Sequence, residues 1–130
     1  MVRGAAFAAL VLLAVMSSAT VLVAAPNAAR ADDGPTEFND NCAVCHATEP
    51  GVNKLGPSLA GVVGRPSASL KDFPYSDAMQ KAGVTWTKLV LDKYLTDPQA
   101  MVKGTKMLFP GLKSAKDRKT LIDYLATLKN

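Results

Sequence analysis

Past residue 31 the apolar positions of this chain take a helical period, and they do so most clearly at its C-terminal end. Leu121, Tyr124, Leu125 and Leu128 follow the i, i+3, i+4, i+7 spacing. This predicts an amphipathic helix over about Ala115–Leu128 with one buried face. Ser114 with Asp117 resembles a capping box in which Asp replaces Glu. A second helix is predicted from about Lys88 to Thr96, where Leu91, Tyr94 and Leu95 share a face. Thr87 is its N-cap, Trp86 and Leu91 have the spacing of a hydrophobic staple, and Pro98 ends it. A third is predicted over about Pro35–Val44, entered through Gly34-Pro35, with Phe38 one turn before Cys42 on the same face. A short segment, about Ser76–Lys81, ends before Gly83. Between Ala47 and Ser69 Gly and Pro recur and predict loops, and Gln99–Lys113 also reads as a loop. Alternating β-branched runs are missing, so no substantial sheet is expected. The class predicted is all-α, with about three to five helices.

The first 31 residues follow a different rule. They hold no acidic residue, open with one basic residue, Arg3, and run into AAFAALVLLAVMSSATVLVAA before Pro26 and the exit NAARA. A charged start, an apolar middle and a small-x-small exit describe a cleaved secretory signal. Cleavage is expected after Ala31, with Ala25 as second choice, leaving residues 32–130 as a single domain. The alternative is a retained anchor, since Ala5–Ala25 is long enough to span a bilayer; its Ala content and Ser17, Ser18 and Thr20 favour cleavage. Export from a bacterial-type cell means the periplasm.

Composition narrows the function. The whole chain carries 15 Lys+Arg against 11 Asp+Glu. Removing Arg3 and Arg30 leaves 13 against 11, a net charge of +2, too mild to indicate nucleic-acid binding. Two Cys cannot build a disulfide scaffold, a four-thiolate zinc site or an iron–sulfur cluster.

Those two Cys stand in Cys42-Ala43-Val44-Cys45-His46, a C-x-x-C-H run that holds the only His of the chain. Residues three apart on a helix share a face, so two thiols can meet the two vinyl groups along one haem edge. The next residue then offers its imidazole to the iron. A redox dithiol would need a βαβ context, and half a zinc site would need a second ligand pair; neither is present. The prediction is one haem c per chain, covalent through Cys42 and Cys45, with His46 as an axial ligand. The sixth ligand is sought among Met79, Met101 and Met107. Met is ordinarily core filler. Met107, in Gly104-Thr105-Lys106-Met107, lies in a loop free to reach the distal face. A Met/His pair raises the potential and closes the iron, which suits an electron carrier.

With these residues in place, the chain resembles class I cytochromes c, the branch that includes mitochondrial cytochrome c and bacterial cytochromes c2 and c-550. The likeness covers nearly all of residues 34–129: Gly34 and Phe38, CAVCH, Gly56-Pro57-Ser58-Leu59, Gly61-Val62-Val63-Gly64-Arg65, the Tyr94–Pro98 stretch, Thr105-Lys106-Met107 with Phe109, and Leu121, Tyr124 and Leu125. The resemblance implies that the Pro57 carbonyl accepts the His46 N–H. It implies that Arg65, Tyr75 and Trp86 contact or neutralise the haem propionates. Tyr94, Thr105 and Phe109 join the pocket, Met107 is the sixth ligand, and the terminal helices cross at Gly34 and Phe38. Three departures stand out. Lys103 replaces a frequent Pro, Met79 replaces a frequent Asn beside a buried water, and the segment between His46 and Gly56 is one residue shorter than in mitochondrial relatives.

The resemblance also implies an electron-transfer protein and not an enzyme. It would be a monomer moving one electron at a time from a quinol-oxidising complex of the bc1 type to a terminal oxidase or photosynthetic reaction centre. Lys54, Lys103, Lys106 and Lys113 flank the ligand segments and would steer acidic partner surfaces. Two rivals are a haem enzyme or sensor with an open sixth position, and a haem domain held in a membrane complex by a retained anchor.

Overall fold

The chain order is α1 (Asp33–Asn41), α2 (Asp77–Lys81), α3 (Lys88–Thr96), α4 (Pro98–Met101) and α5 (Ala115–Leu125). The structure, a computed structural model, describes residues 33–130; the predicted signal and its cleavage sites lie outside them. Among the described residues there is no strand, only an isolated antiparallel bridge between Pro66 and Thr85. The expected all-α class is therefore built, among the described residues, from five helices.

Two predicted caps are in place. The Thr87 side chain accepts from Val90 N at the start of α3, and Ser114 accepts from Asp117 N at the start of α5. The α5 face is wider than its period implied. Leu121, Ile122 and Leu125 are buried, Tyr124 and Leu128 are half-buried, and Arg118 is buried with them. Regular helix stops at Leu125, short of Leu128, and a turn from Tyr124 to Thr127 follows.

Pro98 does end α3, but it also begins α4 inside the segment read as a loop. Asp97 turns extended and caps the new helix by accepting from Ala100 N, and Pro98 occupies the first turn, where its missing N–H costs nothing. The first helix starts at Asp33 and ends at Asn41. The CxxCH run leaves it in a turn that keeps the helical bonds Cys42 N to Phe38 O, 2.8 Å, and His46 N to Cys42 O, 2.8 Å.

The terminal helices are closely apposed. A Cβ added at Gly34 would lie 2.5 Å from Tyr124 Cβ, so only glycine lets α1 come this near α5. One turn on, the Phe38 and Tyr124 rings pack with centroids 5.9 Å apart. The core continues through Val62, Met79, Trp86, Leu91, Tyr94, Leu95 and Val102. Arg118 ties α5 to the rest: it donates to Asp92 Oδ1 on α3 at 2.8 Å and to the Leu112 and Lys113 carbonyls at 2.9 and 3.0 Å.

Candidate functional site

The helices leave a cavity of about 930 Å³ between the CxxCH turn, the Gly56–Leu59 loop, α3 and the Met107 loop. That volume is at the upper end of the range for small-molecule and cofactor sites. Cys42, Cys45, His46 and Met107 all line it, and much of the remaining wall is apolar: Leu59, Val62, Met79, Leu91, Leu95 and Leu121. Neither cysteine is in a disulfide, and both are half-buried. Burial pushes the Cys42 thiol up to about 11, with Cys45 and Glu37 adding to the shift. A redox dithiol needs the opposite, a thiolate at neutral pH.

His46 is oriented by one bond. Its Nδ1 donates to the Pro57 carbonyl at 2.7 Å, which leaves Nε2 as the lone-pair nitrogen. Burial lowers the His46 pKa; the Pro57 bond opposes this and Arg65 and Lys54 add to it. The imidazole is therefore held neutral, the form that binds a metal. Its ring is packed so closely on Gly56 that any Cβ there would overlap it. The Gly56 N–H in turn donates to Cys45 O at 2.8 Å, tying this loop to the CxxCH turn.

Across the cavity the Tyr94 hydroxyl lies 3.4 Å from Met107 Sδ and 3.4 Å from Thr105 Oγ1, while Met107 N donates to Thr105 Oγ1 at 3.3 Å. Burial raises the Tyr94 pKa, so the phenol stays a donor. The Tyr94 hydroxyl thus meets the thioether sulfur, and the Thr105 hydroxyl holds the Met107 backbone. Phe109 lines the cavity beyond it.

Arg65, Tyr75 and Trp86 also line the cavity. Trp86 is buried with its ring 4.9 Å from that of Tyr94. Arg65 is half-buried and spends two donors on its own loop, Nη1 to Ala60 O and Nη2 to Ser58 O, each at 2.8 Å. Burial lowers its pKa, while the adjacent Tyr75 raises it; burial raises that of Tyr75 and Arg65 lowers it. Ser58, to which the likeness gave no role of its own, is fully buried: its hydroxyl donates to Glu49 O at 2.6 Å and accepts from Ala60 N. Small buried hydroxyls of this kind carry no periodic signal.

The four lysines separate into two pairs. Lys54 and Lys106 line the cavity. Lys103 borders a separate small pocket of about 210 Å³ beside Lys81, and Lys113 donates to Thr96 O at 2.8 Å at the end of α3. Three strongly exposed apolar residues join the first pair at the cavity: Val44 at 84%, Leu55 at 82% and Leu108 at 90% exposure. Met79 lines the cavity while Met101 does not.

The donor set fits a covalently bound haem. Two thiols, a neutral imidazole and a thioether share one largely apolar cavity, and Arg65, Tyr75 and Trp86 add polar groups to its wall. The comparisons agree. Residues 31–129 match the family described as cytochrome c. The chain is 47% identical over 97 residues to cytochrome c2 iso-2 of Magnetospirillum molischianum, covering 75% of this chain and 99% of that protein. It is 46% identical over 97 residues to cytochrome c2 of Rhodopila globiformis, covering 75% and 92%. It is 41% identical over 100 residues to cytochrome c of Euglena viridis, covering 77% and 98%. The match spans the CxxCH turn, the His46 loop and the Met107 loop together, and the chain belongs to the cytochrome c family, whose cofactor is covalently bound haem c.

Proposed function

We propose that this chain is an exported one-electron carrier, with haem c tied to Cys42 and Cys45 and with His46 and Met107 as axial ligands. The observation that supports it is the convergence of two thiols, a neutral imidazole and a thioether on one cavity of about 930 Å³. Bound there, the haem supplies a reversible one-electron couple at iron.

The side chains decide how that couple is used. His46 keeps its proton on Nδ1, where Pro57 O accepts it, and offers Nε2. Met107 closes the other side, with Tyr94 and Thr105 restraining its sulfur and backbone. An imidazole and a thioether together favour the reduced state and leave no position for dioxygen or peroxide. Arg65, Tyr75 and Trp86 would meet the propionates of the bound group, and Phe109 would cover it on the Met107 side.

Transfer is outer-sphere, so rate depends on bringing a partner's cofactor close to the cavity mouth. Val44, Leu55 and Leu108 offer an apolar contact there, and Lys54 and Lys106 add positive charge beside it. This supports docking on an acidic surface with an apolar centre. Lys103 and Lys113 act at longer range. The donor is a quinol-oxidising complex and the acceptor a terminal oxidase or photosynthetic reaction centre. Residues 1–31 are the signal, cleaved after Ala31, which delivers a monomer of residues 32–130 to the periplasm. Intact mass of the exported protein checks the cleavage.

Carbon monoxide added to the reduced holoprotein at neutral pH tests the carrier reading. The expected result is no spectral change in the wild type and rapid binding after Met107→Ala. Tight binding by the wild type overturns the reading in favour of an enzyme or sensor.

A further inference from the structure

Gln99, on the short helix α4, is a residue that neither the helical period nor the CxxCH chemistry singles out. Its side-chain nitrogen donates to two main-chain carbonyls of the distal loop, Thr105 O at 3.2 Å and Met107 O at 2.8 Å. Both partners are pure acceptors, so the amide must turn its NH2 edge to them and no flipped orientation satisfies the pair. The base that presents it is fixed. Pro98 is fully buried beside it, and Asp97 caps the helix through Ala100 N at 3.0 Å.

The loop has few other ties. The Tyr94 hydroxyl meets Met107 Sδ and Thr105 Oγ1, each at 3.4 Å. Thr105 N donates to Val102 O at 3.0 Å, and Met107 N donates to Thr105 Oγ1 within the loop itself. Lys106 Nζ reaches Pro74 O only at 3.4 Å, against 2.8 Å for Gln99 to Met107 O; both side chains are exposed. Lys103 and Gly104, which lead into the loop, are exposed. Among the described residues, Gln99 makes the one hydrogen bond to the carbonyl of Met107. The Gln99 side chain does not line the cavity.

We infer that Gln99 is a positioning residue for Met107: its amide holds the distal loop closed and so sets how often the sulfur leaves the iron. This rests on the axial role of Met107 proposed above. Opening breaks the sulfur–iron bond without changing the oxidation state. An added neutral base can then form a nitrogen–iron bond in its place. The apparent affinity for that base is its intrinsic affinity scaled by the open fraction.

Imidazole titrated into the ferric holoprotein reads this directly, through loss of the sulfur-to-iron charge-transfer band. Two variants separate the donor from the bulk of the side chain. Gln99→Ala removes both bonds. Gln99→Glu keeps length and shape but offers no donor and sets a carboxylate against two carbonyl oxygens. Each is expected to tighten apparent imidazole binding by about tenfold, and to raise the limiting rate at saturating imidazole by a similar factor. Affinity within twofold of wild type in both variants overturns the inference. So does wild-type behaviour of Gln99→Glu alone, because the donors would then be irrelevant. A lowered denaturant midpoint with an unchanged limiting rate makes Gln99 structural only and overturns it too. A band that survives Met107→Ala overturns the axial reading, and the Gln99 role with it. A band lost in Met107→Ala, with imidazole binding unmoved by the Gln99 variants, overturns the Gln99 role alone.

Discussion

The Pro57 carbonyl accepts from His46 Nδ1 at 2.7 Å, and that one bond decides which ring nitrogen is left for a metal. The neighbouring residue is as important to the imidazole as Pro57. Gly56 leaves the ring no room for a Cβ, and its N–H ties the loop to Cys45 O at 2.8 Å. The two positions therefore respond differently to alanine. Pro57→Ala keeps the carbonyl and is expected to cost at most about 1 kcal/mol, through added freedom of the unfolded chain. Gly56→Ala drives a methyl into the ring and is expected to cost about 1–3 kcal/mol. Guanidinium unfolding of the two holoproteins, followed by far-ultraviolet circular dichroism, checks the order.

Arg118 is expected to be the most costly charged residue to remove. It is the buried cation of the α3–α5 seam, and it serves Asp92 and the carbonyls of Leu112 and Lys113 at once. Arg118→Met keeps most of the apolar stem but leaves those two carbonyls and Asp92 without their donor. The expected loss is about 2–4 kcal/mol. Lys119→Ala, one position on but exposed, is expected to change stability by no more than about 0.5 kcal/mol. Denaturant midpoints of the two variants give the comparison. The same segment carries Lys113, so loosening it would also free the end of the distal loop.

Arg118 shows where a sequence reading stops. Period and caps made α3 and α5 legible, because Leu91, Leu95, Leu121 and Leu125 repeat with the helix and Thr87 and Ser114 mark the starts. The chemistry of CxxCH was legible because its spacing is short and local. A charged residue one turn before Leu121 reads as solvent-facing until Asp92, 26 residues earlier, is brought beside it. Ile122 lies off the strict period and is buried because α5 is covered by both α1 and α3. α4 was obscured by a proline that has two roles, terminator of one helix and first residue of the next. Gln99 follows from the same misreading, since its reach to Met107 exists only once α4 does. The lysine cluster suggested by loop positions divides in space, which no linear spacing reveals.

Acid stability has an identifiable surface contributor. Asp123 accepts from Lys119 at 2.6 Å and from Lys88 at 2.7 Å. The hydrogen bonds from Lys119 and Lys88 hold its carboxyl down at about 2, against an ordinary 3.8. A depressed pKa means that the folded state gains from ionised Asp123 at any pH above the unfolded value. The gain is lost as pH falls from about 4 through about 2. Asp123→Asn is expected to flatten that part of the stability–pH curve and leave the curve above pH 5 parallel to wild type. Because the group is exposed, added salt should shrink the difference. Thermal midpoints between pH 2 and pH 6, at low and high ionic strength, provide the measurement.

Electrons are expected to leave at the cavity mouth. Lys54 and Lys106 stand at the cavity and Lys113 at the end of α3; Lys54 and Lys113 each donate to a main-chain carbonyl, Ala43 O at 2.7 Å and Thr96 O at 2.8 Å, so they differ in place and not in engagement. Lys54→Glu, Lys106→Glu and Lys113→Glu each change the net charge by the same amount, so any difference among them reports position and not total charge. Oxidation of the reduced holoprotein by ferricyanide, a small anion, needs no biological partner and samples the mouth directly. The first two variants are expected to slow it by about two- to fivefold at low ionic strength. Lys113→Glu should stay within about 1.5-fold of wild type, on the same steering principle. At about 1 M salt, where the screening length falls to about 3 Å, the three should converge. Equal slowing by all three would mean that net charge alone steers the oxidant, and the mouth beside Val44, Leu55 and Leu108 would lose its claim to be the exit.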